Sequence, residues 1–105
     1  MNLITQDNGI YILKQDEDNF INFCPSRGGI ITKWVKNSEN ILYFDEDRFL
    51  NKSQSIRGGI PILFPICGSL GKRAFFGDNY IDLDQHGFAR DIVWQFVIDS
   101  EQSTL

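Results

Sequence analysis

Short apolar runs, separated by turn residues at a spacing of roughly ten, are the main feature of this chain. Runs that favour β-strands cover residues 9–14, 20–24, 30–35, 41–44 and 92–98. No segment of helical length keeps a 3.6-residue period, although residues 45–53 allow one helical turn. The pattern therefore predicts an all-β protein, built as an antiparallel sandwich or meander.

The chain length allows one domain at most, because 105 residues is close to the usual size of a single hydrophobic core. We see no linker and no internal repeat. The first residues lack the charged and apolar regions of a signal peptide, and no apolar run reaches the roughly 20 residues of a membrane helix. We expect a cytoplasmic protein that does not bind membranes. Cys24 and Cys67 show no metal-binding spacing, and their apolar neighbours predict two buried free thiols.

The charges are distributed unevenly. The net charge of −4 argues against general nucleic-acid binding. Residues 48–77 nevertheless contain no Asp or Glu and hold five basic residues: Arg48, Lys52, Arg57, Lys72 and Arg73. Either this segment accommodates a small anion, or it is a solvated loop that happens to be basic, and charge alone does not separate the two.

The first candidate site is the segment 56–65, in which Arg57 precedes two glycines and a Pro-rich apolar stretch. The planar guanidinium suits a carboxylate, a phosphate or sugar hydroxyls. The glycines allow a ligand to approach the backbone or allow a turn with positive φ. The alternative is a structural turn in which Arg57 pairs with a nearby Asp.

The second candidate site is the segment 86–91, which begins with His86, the only histidine in the chain. Histidine is the side chain whose unperturbed pKa lies nearest neutrality. Arg90 follows four residues later. The alternative is a structural histidine with satisfied hydrogen bonds. Aromatic residues that either stack on a sugar or fill the core are Phe64, Phe75, Phe76, Phe88 and Trp94.

Taken together, these two segments resemble the paired signatures of the hexose-6-phosphate mutarotase branch of the aldose 1-epimerases. The matching residues are Arg57-Gly58-Gly59-Ile60-Pro61 with Phe64-Pro65 and Gly68, then His86-Gly87-Phe88-Ala89-Arg90 with Trp94. Residues 28–34 and 41–43 resemble early strands of that family, so the resemblance covers residues 20–97.

The resemblance implies the N-terminal portion of a galactose-mutarotase-like antiparallel β-sandwich. It places Arg57, His86 and Arg90 in a pocket for a hexose 6-phosphate or related sugar, with His86 as the substrate-orienting histidine. The implied activity interconverts α and β anomers by acid/base ring opening, which requires no metal or redox cofactor.

In that family a second histidine acts as the acid and a glutamate as the base, and both come late in considerably longer chains. This sequence has one histidine, so we expect residues 1–105 to be a single partial domain without catalytic residues. Its open sheet edges predict a homo-oligomer or a complementary C-terminal chain. Three functions remain: an isomerase completed by a missing part, a non-catalytic sugar-phosphate binder, and a self-associating structural remnant.

Overall fold

The computed structural model describes residues 2–6, 8–69, 74–76 and 79–97. Its main sheet has five antiparallel strands in chain order: β1 (Asn2–Thr5), β2 (Tyr11–Asp16), β3 (Asn19–Cys24), β4 (Ile30–Lys36) and β5 (Glu39–Asn40). The other elements are helix α1 (Glu46–Leu50), the hairpin of β6 (Ala74–Phe76) with β7 (Asn79–Ile81), and 3₁₀ turns at Pro25–Arg27 and Ala89–Asp91. This architecture confirms the all-β fold class.

Local hydrogen bonds explain the tight connection between β2 and β3. One carboxylate oxygen of Asp16 accepts from Nδ2 of Asn19 and from the backbone N–H of Asp18, at 2.9 Å each. The Asn19 bond, followed by the Asp18 bond, lowers the pKa of the Asp16 carboxyl. Any stability from this shift is present above the unfolded-state pKa and is lost as the pH falls through the lowered folded-state pKa.

The sheet is covered on both faces where β3 ends, because the consecutive residues Phe23 and Cys24 point to opposite faces and are both buried. On one face Cys24 belongs to a buried cluster with Ile10, Ile30 and Phe49 of α1. On the other face Phe23 stacks with Tyr11 at 5.8 Å and meets Phe96 edge-on at 5.2 Å. The segment 92–97 therefore covers the second face without joining the sheet.

The expected strands at 9–14, 20–24 and 30–35 are confirmed by β2, β3 and β4, and the helical turn is confirmed by α1. The strand expected at 41–44 is wrong, since only Phe44 forms a bridge, with Gly58. The expected burial of Cys67 is also wrong: it is exposed, while Cys24 is buried.

The strand expected at 92–98 is wrong for residues 92–97, and residue 98 lies outside the described residues. The backbone of residues 92–97 instead forms hydrogen bonds with the turn between β3 and β4. Gly28 N–H donates to Ile92 O at 3.0 Å, and Trp94 N–H donates to Pro25 O at 2.9 Å. These contacts replace a strand ladder. Within the part of the chain described, no helix is long and apolar enough to cross a membrane.

Candidate functional site

The first motif, at residues 57–61, is fastened to the start of β4. Ile60 and Ile31 exchange two backbone hydrogen bonds of 2.9 and 3.0 Å, and Gly59 N–H donates to Tyr43 O at 2.8 Å. A Cβ atom on Gly58 would lie 2.2 Å from Tyr43 O, so this close approach requires glycine. The motif therefore has a structural role as well as its expected binding role.

The second motif begins at His86, which is half-buried and held by two hydrogen bonds to Gly68. His86 N–H donates to Gly68 O at 2.7 Å, and Gly68 N–H donates to Nδ1 of the His86 ring at 2.8 Å. His86 adopts a left-handed conformation with φ of 67°. The orientation of the ring is thus fixed by the backbone.

These bonds also assign the tautomer. Nδ1 accepts a hydrogen bond, so it carries no proton, and the proton of the neutral ring lies on Nε2. Nε2–H is a donor suited to a ligand oxygen. Transfer of that proton would leave an imidazolate anion, so His86 is suited to orient a ligand by hydrogen bonding and not to act as a proton-transfer catalyst.

The two functions of His86 can be separated by substitution. Asparagine tolerates a left-handed backbone, and its Oδ1 can replace Nδ1 as the acceptor for Gly68 N–H. We expect His86→Asn to melt near the unsubstituted protein but to bind a ligand that accepts from Nε2–H about fivefold more weakly, because one hydrogen bond is lost. His86→Ala loses both roles, so its unfolding free energy should fall by about 1–3 kcal/mol. Equal melting of the two variants would contradict the structural role, and unchanged binding by His86→Asn would contradict the ligand role.

Arg90 lies in the 3₁₀ turn Ala89–Asp91, which several contacts hold in place. Nε1 of Trp94 donates to Ala89 O at 2.8 Å, and Phe88 N–H donates to Phe64 O at 3.0 Å. The side chain of Arg90 donates to Gln85 O at 3.2 Å. Trp94, the tryptophan that accompanies the second motif, therefore helps to position the turn that carries Arg90.

Arg90 opens onto a cleft of about 360 Å³, within the usual range for small-molecule sites. Two further cationic residues, Arg27 and Lys52, and one carboxylate, Asp91, also line it. The remaining polar lining residues are Ser26, Gln54 and Ser55. The cleft thus combines positive charge with hydroxyl and amide groups, a set suited to a phosphorylated polyol.

The predicted site residues are only partly brought together. Arg90 lines the cleft, and so do Ile56 and Gly58 on either side of Arg57, while Arg57 itself is exposed and, like His86, is not among the described lining residues. Across the described ranges, no carboxylate forms an ion pair with Arg57 or Arg90. Within those ranges, the alternative in which Arg57 pairs with a nearby Asp therefore finds no support.

Arg27 and Lys52 were not predicted as site residues. A signal for Arg27 was present, because Arg-Gly-Gly-Ile occurs at residues 27–30 and again at 57–60, a short repeat that we did not expect. All four glycines have positive φ, between 69° and 85°. Both copies of the repeat therefore place two consecutive left-handed glycines on segments that line the cleft.

The fold and the cleft define an all-β protein with a cleft that three cationic side chains line. No family model matches the chain. A protein from Cenchrus ciliaris named "Putative glucose-6-phosphate 1-epimerase" is 35% identical over 79 residues, which are 74% of this chain and 20% of that protein. The chain thus spans about a fifth of this curated relative.

A solved structure gives a second comparison. The crystal structure of the Slr1438 protein from Synechocystis sp. PCC 6803 superposes with a TM-score of 0.78 at 40% identity, covering 95% of this chain and 37% of that one. The Cenchrus ciliaris match confirms the resemblance and the solved structure confirms the fold: the chain is aldose 1-epimerase-like, consistent with the N-terminal part of such a protein.

Proposed function

We propose that this chain binds a hexose 6-phosphate through Arg57, His86 and Arg90, within an aldose 1-epimerase-like partial domain formed by residues 1–105. The observation that carries the proposal is the cationic cleft beside Arg90. The name of the Cenchrus ciliaris relative supplies the substrate class and the reaction type. Arg57 borders the cleft through Ile56 and Gly58, and the resemblance gives it a phosphate-binding role.

An exposed aromatic pair supports binding of the sugar ring. Phe64 and Phe88 are 58% and 45% exposed, respectively. Their rings meet edge-on at 5.9 Å, and a backbone bridge joins Phe64 to Gly87, next to His86. Aromatic faces pack against the apolar faces of sugars, so this exposed pair offers a surface for a sugar ring on the segments next to His86. Because both side chains are exposed, they do not fit the alternative in which they fill the hydrophobic core.

Mutarotation needs two proton transfers. A base removes the proton of the anomeric hydroxyl, an acid protonates the ring oxygen as the C1–O5 bond breaks, and re-closure of the aldehyde gives the other anomer. His86 is suited only to hydrogen bonding, and it is the single histidine of the sequence. We therefore propose that the acid and the base come from residues outside this chain.

Anomer exchange of glucose 6-phosphate, followed by saturation-transfer NMR, tests the epimerase parentage. We expect the purified chain to give the exchange rate of buffer alone. A separately expressed polypeptide, matching the rest of the longer relatives, should raise the rate when it is added. Acceleration by the chain alone would refute the absence of an acid/base pair. No acceleration with the second polypeptide would favour the non-catalytic binder.

Self-association is a second proposal, supported by the exposed apolar surface. Tyr43, Val93 and Val97 are 72, 72 and 79% exposed, and β1 and β5 are open edges of the main sheet. We expect the purified chain to elute as a homo-oligomer in size-exclusion chromatography with light scattering at micromolar concentration. A monomer with a sharp cooperative melt would contradict this expectation and would favour a complementary chain as the partner.

A further inference from the structure

We propose that Arg27 and Lys52 act with Arg90 as ligands for a phosphate monoester dianion, so that these residues select phosphorylated over neutral sugars. All three line the same cleft. This inference deepens the proposed function: the selection among sugars rests on that function, whereas the binding of a phosphate group rests on the cleft alone.

Arg27 is ordered before any ligand arrives. Its Nη1 donates to the backbone carbonyl of Phe49, and its guanidinium carbon lies 4.7 Å from the centre of the Phe49 ring. Phe49 is 3% exposed and belongs to the buried cluster beneath the sheet. A side chain that is already fixed loses less conformational entropy on binding, and the remaining N–H groups of the guanidinium are left to bind an anion.

The backbone also fixes Arg27 relative to Arg90. A Cβ atom on Gly28 would lie 2.1 Å from Arg90 O, so the two chain segments are in direct contact. Gly28 N–H also donates to Ile92 O at 3.0 Å. Arg27 and Arg90 thus line one cleft from two contacting segments, and their positive charges favour an anionic ligand there.

The formal charge of the cleft matches a phosphate monoester. Three cationic side chains and the single carboxylate of Asp91 leave an excess of two positive charges, and the ligand carries close to −2 at neutral pH. In the described ranges, no ion pair engages Arg27, Lys52 or Arg90. Their charge is therefore free to attract a ligand, although the chain as a whole carries −4.

The test is an NMR titration of the full chain with glucose 6-phosphate, inorganic phosphate and glucose. We expect Arg27→Gln to weaken glucose 6-phosphate and inorganic phosphate binding about tenfold, and Lys52→Gln to weaken both about threefold. The matched control is Lys33→Gln, which removes one charge from a lysine 5.7 Å from the Phe20 ring and outside the cleft. It should bind both ligands like the unsubstituted chain.

The outcomes separate this inference from the proposed function. Lys52 makes no described side-chain hydrogen bond, so Lys52→Gln stays informative if Arg27→Gln fails to fold. If glucose 6-phosphate binds and neither substitution weakens it more than Lys33→Gln, the inference is wrong while the proposed function stands. If inorganic phosphate binding is weakened by both substitutions but glucose 6-phosphate binds no better than inorganic phosphate, the inference stands and the sugar site does not. If neither anion binds, both are wrong.

Discussion

Gly28→Ala is expected to lower the free energy of unfolding by about 4 kcal/mol, at the upper end of single-substitution effects. The new Cβ would lie 2.1 Å from Arg90 O and 2.5 Å from Arg90 C and Cα. These neighbours are backbone atoms, so no flexible side chain can move aside. The left-handed φ of 73° adds strain for any residue with a side chain. Because small domains are stable by only about 5–15 kcal/mol, the loss removes a large share of the total.

The matched control is Gly68→Ala. Gly68 also has a positive φ, of 94°, but among the described residues beyond its chain neighbours no atom lies within 4 Å of the position of its Cβ. Gly68→Ala therefore introduces backbone strain but no steric clash, and its free energy of unfolding should fall by about 1–2 kcal/mol. Urea unfolding of both variants gives the comparison. Equal costs would show that the contact between Gly28 and Arg90 is absent in solution.

Gly58→Ala repeats the test at an independent contact, because its Cβ would lie 2.2 Å from Tyr43 O. We expect a loss similar to that of Gly28→Ala. Because Gly58 also lines the cleft beside Arg57, both variants should weaken glucose 6-phosphate binding as well.

Arg90→Gln is expected to weaken glucose 6-phosphate binding between about tenfold and a hundredfold, as loss of a charge-assisted hydrogen bond costs roughly 1.5–3 kcal/mol. Arg90 is the predicted site residue that lines the cleft directly. Its turn is held by Trp94 and Phe64, so the substitution should leave the backbone in place. Binding of neutral glucose, measured in the same titration, should stay unchanged because glucose has no phosphate.

Arg57→Gln serves as a comparison within the predicted site. Arg57 is not among the described lining residues of the cleft, whereas Arg90 is, so we expect a smaller decrease in affinity than for Arg90→Gln. Lys33→Gln is the charge-matched control outside the cleft. An Arg90→Gln variant that binds glucose 6-phosphate as tightly as this control would remove Arg90 from the site.

The sheet could be predicted from the sequence because period-two alternation and turn residues are local signals. Strands β2, β3 and β4 have both. The same signals gave a wrong prediction for residues 92–97, whose apolar run is typical of a strand. The backbone of this segment forms hydrogen bonds with Pro25 and Gly28, which are far away along the chain. Apolar character predicts burial, whereas pairing depends on which backbone groups remain free.

The candidate site, too, could be predicted only in part. His86 and Arg90 stand out by residue type and by resemblance, whereas the hydrogen bond between Gly68 and the His86 ring depends on tertiary structure. Arg27 was missed because it lies in the short connection between the strands expected at 20–24 and 30–35. The repeated Arg-Gly-Gly-Ile was visible in the sequence and was the signal for it.

The most direct test of the account is a ¹H–¹⁵N titration of the full chain with glucose 6-phosphate. We expect saturable shifts at the backbone amides around Arg27, Gly58 and Arg90, with a response of the His86 ring at Nε2. Glucose at the same concentration should produce much smaller shifts. No saturable change with glucose 6-phosphate, or shifts confined to other parts of the sheet, would contradict the proposal that this chain carries a sugar-phosphate site.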